Sequence, residues 1–143
     1  MHSRPAIIQD APQITALLNQ LGYRDGQETV ARRLGVLGQC HDSIVLVAED
    51  ESQRLLGCIH VMVSNRLAEG TYGEIASLVI GEGHRQEGIG RQLIEKAACW
   101  LRERGMSRMR VRCNVIREGA HQFYERLGFE ITKSHKVYDK DLT

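Results

Sequence analysis

The stretch EIASLVI at residues 74–80 leads through the polar segment HRQEGIGR at 84–91 into Leu93, Ile94, Ala97, Ala98 and Leu101, which recur at helical spacing. A strand apolar on both faces that turns into an amphipathic helix predicts a layered α/β arrangement, because each face of the strand needs cover. Gly88 and Gly90 stand where the helix starts. Backbone N–H groups in that first turn have no intrahelical partner, and glycine lets a ligand come close to them. The turn therefore suits a phosphate as well as it suits a tight strand-to-helix connection. The pattern is not G-x-G-x-x-G, since Leu93 fills the third position, and no Gly-Lys-Ser/Thr follows to make a Walker loop. Dinucleotide and nucleoside triphosphate readings both weaken.

The remaining chain supplies elements for one domain, 1–143, and shows no linker, repeat or low-complexity segment. Pro5 to Gln9 suits a first strand, and Asp10 can cap a helix with Pro12 in its first turn. Ile14, Leu17, Leu18 and Leu21 continue that helix; Val30, Leu34 and Leu37 mark a shorter second one, with Gly22 to Gly26 as the joint. Ser43 to Ala48 and Leu55 to Val63 read as a hairpin around the polar Asp50 to Gln53. Gly70 and Gly73 break the chain before a central strand, Glu74 to Ile80, and Gly105 stops the long helix. Met109, Val111 and Cys113 alternate with Arg108, Arg110 and Arg112 in a strand; Ala120, Phe123, Tyr124 and Leu127 stripe a last helix ended by Gly128, and Phe129 to Tyr138 can close the sheet.

A formal charge of +1 exerts no global pull toward nucleic acid or an anionic membrane. No run approaches bilayer length and MHSRPAII lacks the apolar core of a signal peptide, so a cytoplasmic protein is expected. Cys40, Cys58, Cys99 and Cys113 form no C-x-x-C pair and read as reduced core thiols, with no metal expected from their spacing.

The turn spells Arg85-Gln86-Glu87-Gly88-Ile89-Gly90, and a later segment spells Ala120-His121-Gln122-Phe123-Tyr124-Glu125-Arg126-Leu127-Gly128-Phe129. In this order and spacing they resemble the R/Q-x-x-G-x-G/A and A-x-x-F/L-Y-x-x-x-G-F elements of the GNAT superfamily of acetyl-CoA-dependent N-acetyltransferases. The order of elements matches from Pro5 to about Tyr138. The resemblance implies an α/β (α+β) fold, a mixed and mostly antiparallel sheet flanked by helices and splayed between its fourth and fifth strands. It implies acetyl-CoA as co-substrate, held by the N–H groups of Gln86, Glu87, Gly88, Ile89, Gly90 and Arg91 after Arg85, and by the backbone of Leu78, Val79 and Ile80 along the pantetheine arm. Three positions depart from the pattern: Glu82 replaces a proline, His84 an aromatic residue, and Arg117 an asparagine whose part Asn114 can take. A homodimer is the assembly the resemblance suggests, and it identifies no contact.

Acetyl transfer to an amine needs a free lone pair, and an acceptor with a lysine-like pKa of about 10.4 is deprotonated at neutral pH at a cost of roughly 4.6 kcal/mol. Glu74 opens the central strand at the position where some GNAT members carry a catalytic glutamate; it reads equally as a solvated strand-end carboxylate, and Glu49 is the reserve. Tyr124 alone reads as a packed tyrosine, whereas the resemblance makes it the proton donor to the departing thiolate. His121 reads as a surface or packing residue. Arg108, Arg110 and Arg112 read as a solvated or ion-paired face, the alternative being that Arg112 or Arg117 borders the acceptor pocket. The implied reaction is direct transfer to a small-molecule primary amine. A protein lysine or N-terminal acceptor, or acyl-CoA binding without turnover, are the alternatives.

Overall fold

Among the described residues, five strands lie in chain order across one sheet: β1 (His2–Pro5), β2 (Ser43–Glu49), β3 (Leu55–Arg66), β4 (Gly70–Ile80) and β5 (Met109–Val111). All neighbours are antiparallel except β4 and β5, which are parallel. The computed structural model describes residues 1–113 and 118–143, in two units, Met1–Arg112 and Cys113–Thr143. The first unit contains the sheet and the helices α1 (Ala11–Asn19), α2 (Gln27–Leu37) and α3 (Ile89–Glu103); the second contains α4 (Glu118–Arg126).

Strand alternation sorts the sheet into two faces. Val47, Cys58 and Val79 pack with Ala11, Ile14, Leu17 and Val30 from α1 and α2. On the other face α3 lies over two glycines. A Cβ on Gly57 would meet Ile80 Cδ1 at 3.0 Å and Ile89 Cγ2 at 3.3 Å; one on Gly73 would meet Leu101 Cδ1 at 2.4 Å. Gly73 is therefore no break. The strand starts at Gly70, and Gly73 within it makes room for a leucine that is only 2% exposed.

The helix ends follow from sequence. Gly105 adopts φ 80°, its N–H donates to the Arg102 carbonyl at 2.9 Å, and the Met106 N–H donates to the Leu101 carbonyl at 3.0 Å, the paired bonds of a Schellman stop. In the second unit Gly128, at φ 93°, does the same: its own N–H reaches the Glu125 carbonyl and that of Phe129 the Tyr124 carbonyl.

Further expectations change. The first strand is His2–Pro5, because Ile8–Asp10 tightens into a single 3-10 turn whose Asp10 carboxylate accepts the Ile7 N–H at 2.8 Å. That carboxylate makes no side-chain cap to α1 and instead takes two bonds from the Arg4 guanidinium, at 2.8 and 2.9 Å. Residues 129–143 form no helix or strand; Ile131, Val137, Tyr138 and Leu142 stand exposed, without the partner ladder a strand requires. Finally, Cys40 and Cys99 are exposed, whereas Cys58 is buried and its thiol is pushed up to about 12 by burial.

Candidate active site

β4 is the strand from which the site is built. It pairs with β3 along its length, but β5 reaches only Gly73, Glu74 and Ile75. From Ala76 to Ile80 the β5-side edge of β4 has no strand partner among the described residues, so Leu78, Val79 and Ile80 offer main-chain groups along an open edge. The expectation of a strand buried on both faces is corrected accordingly: Ala76 is exposed and Glu74, Ser77, Leu78 and Ile80 are half-buried.

The register contains an irregularity. Val61 pairs with Ile75 and His60 with Ser77, so Ala76 is an extra residue in β4. Without it, Glu74 and Ser77 would point to opposite faces; with it, both lie on the α1 and α2 face, beside Met62 and His60 of β3.

β4 leads into the glycine turn, where Gly83, Gln86 and Gly88 adopt positive φ of 83°, 69° and 83°. Gly88 is the N-cap of α3, with no side chain capping the first turn and no acidic residue in it. Arg85 to Gly88 and Arg91 are exposed, while Ile89 and Gly90 are buried against the sheet side. His84 Nδ1 and Glu87 Oε2 lie 3.0 Å apart, and the Glu82 N–H donates to Gln20 Oε1 at 3.2 Å, which ties the loop to α1. The residues present fit a pyrophosphate: open N–H groups at the positive end of a fifteen-residue helix, with two arginines beside them.

Glu74 is 12% exposed at its side chain. Its Oε2 accepts from Ser64 Oγ at 3.3 Å, and its Oε1 faces Arg112 Nε at 3.2 Å. The Arg112 contact is an ion pair without hydrogen-bond alignment, so Oε1 is buried and accepts no hydrogen bond among the described residues. An oriented lone pair of this kind suits an ammonium or a water. Of the neighbouring arginines, Arg110 is ion-paired with Glu69 and Arg108 donates to the Glu69 carbonyl at 3.2 Å; the Arg108 and Arg110 guanidiniums lie 4.8 and 4.4 Å from the ring centre of the fully buried Tyr72. Glu49, the reserve candidate, is ion-paired with Arg4 at 3.1 Å on β2.

In the second unit, Tyr124 packs edge-on against Phe123 and Phe129, with ring centres 5.2 and 5.5 Å apart. Asn114 and Arg117 lie outside the described residues. Among the described residues no cluster of three or more His, Cys, Asp or Glu could hold a metal ion, and no helix is long and apolar enough to cross a membrane.

Sequence reasoning assigned no role to His60, Ser43 or Ser77. Ser43 Oγ lies 2.6 Å from His60 Nε2, burial lowers the imidazole pKa, and Ser77 lines an open cavity of about 200 Å³ with Leu18, Tyr23, Asp25, Val30 and Arg33. The signal available was a histidine within the apolar run LLGCIHVMV.

A profile of the acetyltransferase (GNAT) family matches residues 12–129. A mycothiol acetyltransferase from Corynebacterium diphtheriae is 30% identical over 98 residues, covering 68% of this chain but only 32% of its own length. Among solved structures, an aminoglycoside antibiotic 6'-N-acetyltransferase from Acinetobacter haemolyticus superposes with a TM-score of 0.86 at 17% identity over 100% of both chains. A glucosamine-6-phosphate N-acetyltransferase from Arabidopsis thaliana gives 0.83 at 21% identity over 98% of each.

Proposed function

This chain belongs to the acetyltransferase (GNAT) family, and on that premise we propose that it moves acetyl from acetyl-CoA directly to the primary amine of a small molecule, residues 1–143 acting as one cytoplasmic N-acetyltransferase domain. The observation that carries this reading is the open edge of β4 running into a turn with left-handed Gln86 and Gly88 at the head of α3. An extended pantetheine arm would add to the edge at Leu78, Val79 and Ile80 as a strand would, with Asn114 as a further contact. The N–H groups of Gln86 to Arg91 would take the pyrophosphate.

The thioester supplies an activated acyl group and a thiolate that must leave. The reaction sets the protein three tasks. The main chain of β4 and α3 orients the donor. Glu74 attracts the acceptor ammonium, because its Oε1 is a buried acceptor with no hydrogen bond among the described residues. Tyr124, through its place in F-Y-x-x-x-G-F, donates the proton that the leaving sulfur needs. No acyl-enzyme forms on Cys58, whose buried thiol at about 12 holds almost no thiolate at neutral pH.

The two superposed transferases are named for an aminoglycoside and for glucosamine 6-phosphate, which supports polar amino compounds as first acceptors to try. The test is release of free CoA from acetyl-CoA across aminoglycosides, amino sugar phosphates, polyamines, amino acids, aminoalkylphosphonates and peptides. Amine-dependent release is expected. Binding of acetyl-CoA without release for any amine would leave an acyl-CoA-binding module.

A further inference from the structure

We propose that His60, oriented by Ser43, is the group that receives the proton leaving the acceptor ammonium, while Glu74 holds that ammonium in place. The inference rests on the transferase reading and divides the two tasks that a single carboxylate would otherwise share.

The geometry has three parts. His60 is the register partner of Ser77, and Glu74 pairs with Met62, two residues further along β3. The two groups are therefore diagonal neighbours on one face, a separation of about 7–8 Å between backbones that side chains and one water can bridge. Second, Ser43 fixes the imidazole through Nε2 at 2.6 Å. When Nε2 carries the hydrogen and donates to Ser43 Oγ, the Nδ1 lone pair is left open, and no described residue takes it. Third, Ser77 lines the cavity between β4 and the α1–α2 joint, giving a small molecule a way onto this face.

The surroundings keep the ring neutral. β2 presents Ser43 and Val45, and β4 presents Ser77 and Glu74, whose Oε1 faces Arg112 at 3.2 Å and accepts no hydrogen bond among the described residues. Across the cavity that Ser77 lines stand Leu18, Val30, Tyr23 and the Asp25–Arg33 ion pair at 2.8 Å, from α1, α2 and their joint. Burial lowers the imidazole pKa, so at neutral pH it is an acceptor ready for a proton.

In the step itself an N–H bond of the ammonium breaks and its electron pair stays on nitrogen. The proton passes to Nδ1, directly or through one water, and then to solvent. The freed amine attacks the thioester carbon; as the C–N bond forms the C–S bond breaks with its electron pair left on sulfur, and the second proton shed by the nitrogen balances the one the departing thiolate takes up.

The experiment measures kcat/KM against pH for wild type and His60→Gln, with melting temperatures alongside, and follows the imidazole resonances of the wild-type protein from pH 4 to 8. An acid limb with a midpoint below about 6.5 is expected in both the rate profile and the resonances. His60→Gln should lose that limb and about a hundredfold in kcat/KM at neutral pH. Ser43→Ala should lower kcat and keep the limb, since it frees the ring without removing it. An acid limb that survives in His60→Gln overturns the proposal and leaves the transferase reading standing. Should the variant fail to fold, a wild-type His60 that takes up no proton between pH 4 and 8 overturns it equally. A wild-type protein that releases no CoA with any amine overturns both.

Discussion

At the scale of single residues, the site separates groups that look alike in the sequence. Three arginines alternate along β5 and its continuation, yet Arg108 and Arg110 cover Tyr72 while Arg112 meets Glu74. Glu74→Gln keeps the shape and removes the charge, so the acceptor KM should rise about tenfold, with kcat falling less, because the lost interaction is attraction for an ammonium. Steady-state kinetics with the best amine of the panel checks this. Tyr124→Phe keeps both edge-on ring contacts and removes the hydroxyl. As proton donor, Tyr124 should cost about a hundredfold in kcat when lost, with acetyl-CoA affinity and melting temperature near wild type. A kcat close to wild type under conditions where chemistry limits turnover would return Tyr124 to packing.

At the scale of elements, glycines separate by mechanism. Gly88 has a left-handed backbone, and a methyl group placed there would meet nothing within 4 Å, so Gly88→Ala should destabilise by about 1–2 kcal/mol through strain alone. Gly73 has room only for hydrogen, and Gly73→Ala should destabilise by about 1–3 kcal/mol through overpacking on Leu101. Urea titration gives both values, and acetyl-CoA calorimetry should show the larger affinity loss for Gly88→Ala. Helix positions and stops were legible in the sequence because periodicity and glycine caps are local signals. The Gly128 stop shows how such a signal can carry two meanings: the Y-x-x-x-G-F pattern places Tyr124 and Phe129 at the two positions that a Schellman stop brings into contact. The extra residue Ala76 was not legible, since a bulge is fixed by the pairing of two strands. With the bulge hidden, the shared face of His60, Ser77 and Glu74 was hidden too.

At the scale of the whole molecule, acid should weaken the fold in two stages. The His60 pKa is lowered by burial, so its folded form binds protons less readily than the unfolded chain. Its contribution is complete above the unfolded value of about 6.5 and is lost as pH falls through the lower folded value. Asp10 follows at lower pH: the Arg4 guanidinium holds its carboxyl below the usual range, giving stability present above about 3.9 and lost on further acidification. Denaturant midpoints from pH 8 to pH 3 should show both stages, His60→Gln removing the first and Arg4→Met flattening the second. The Arg4 substitution should also cost about 3 kcal/mol near neutrality, because it leaves the buried Asp10 without its cation.

The two glycine notches beneath α3 make the helix a beam seated at both ends. Ile89 rests over Gly57 and Leu101 over Gly73, twelve positions apart, which is roughly 18 Å along the axis. A shift of about 1 Å at the distant notch would tilt the beam by roughly 3°, given that span. The aim of the N–H groups at its head is thus governed in part by a contact near its tail, at the opposite end of the helix. A mutation at Leu101 or Gly73 would then be felt as poor alignment of the donor, in a protein that remains folded.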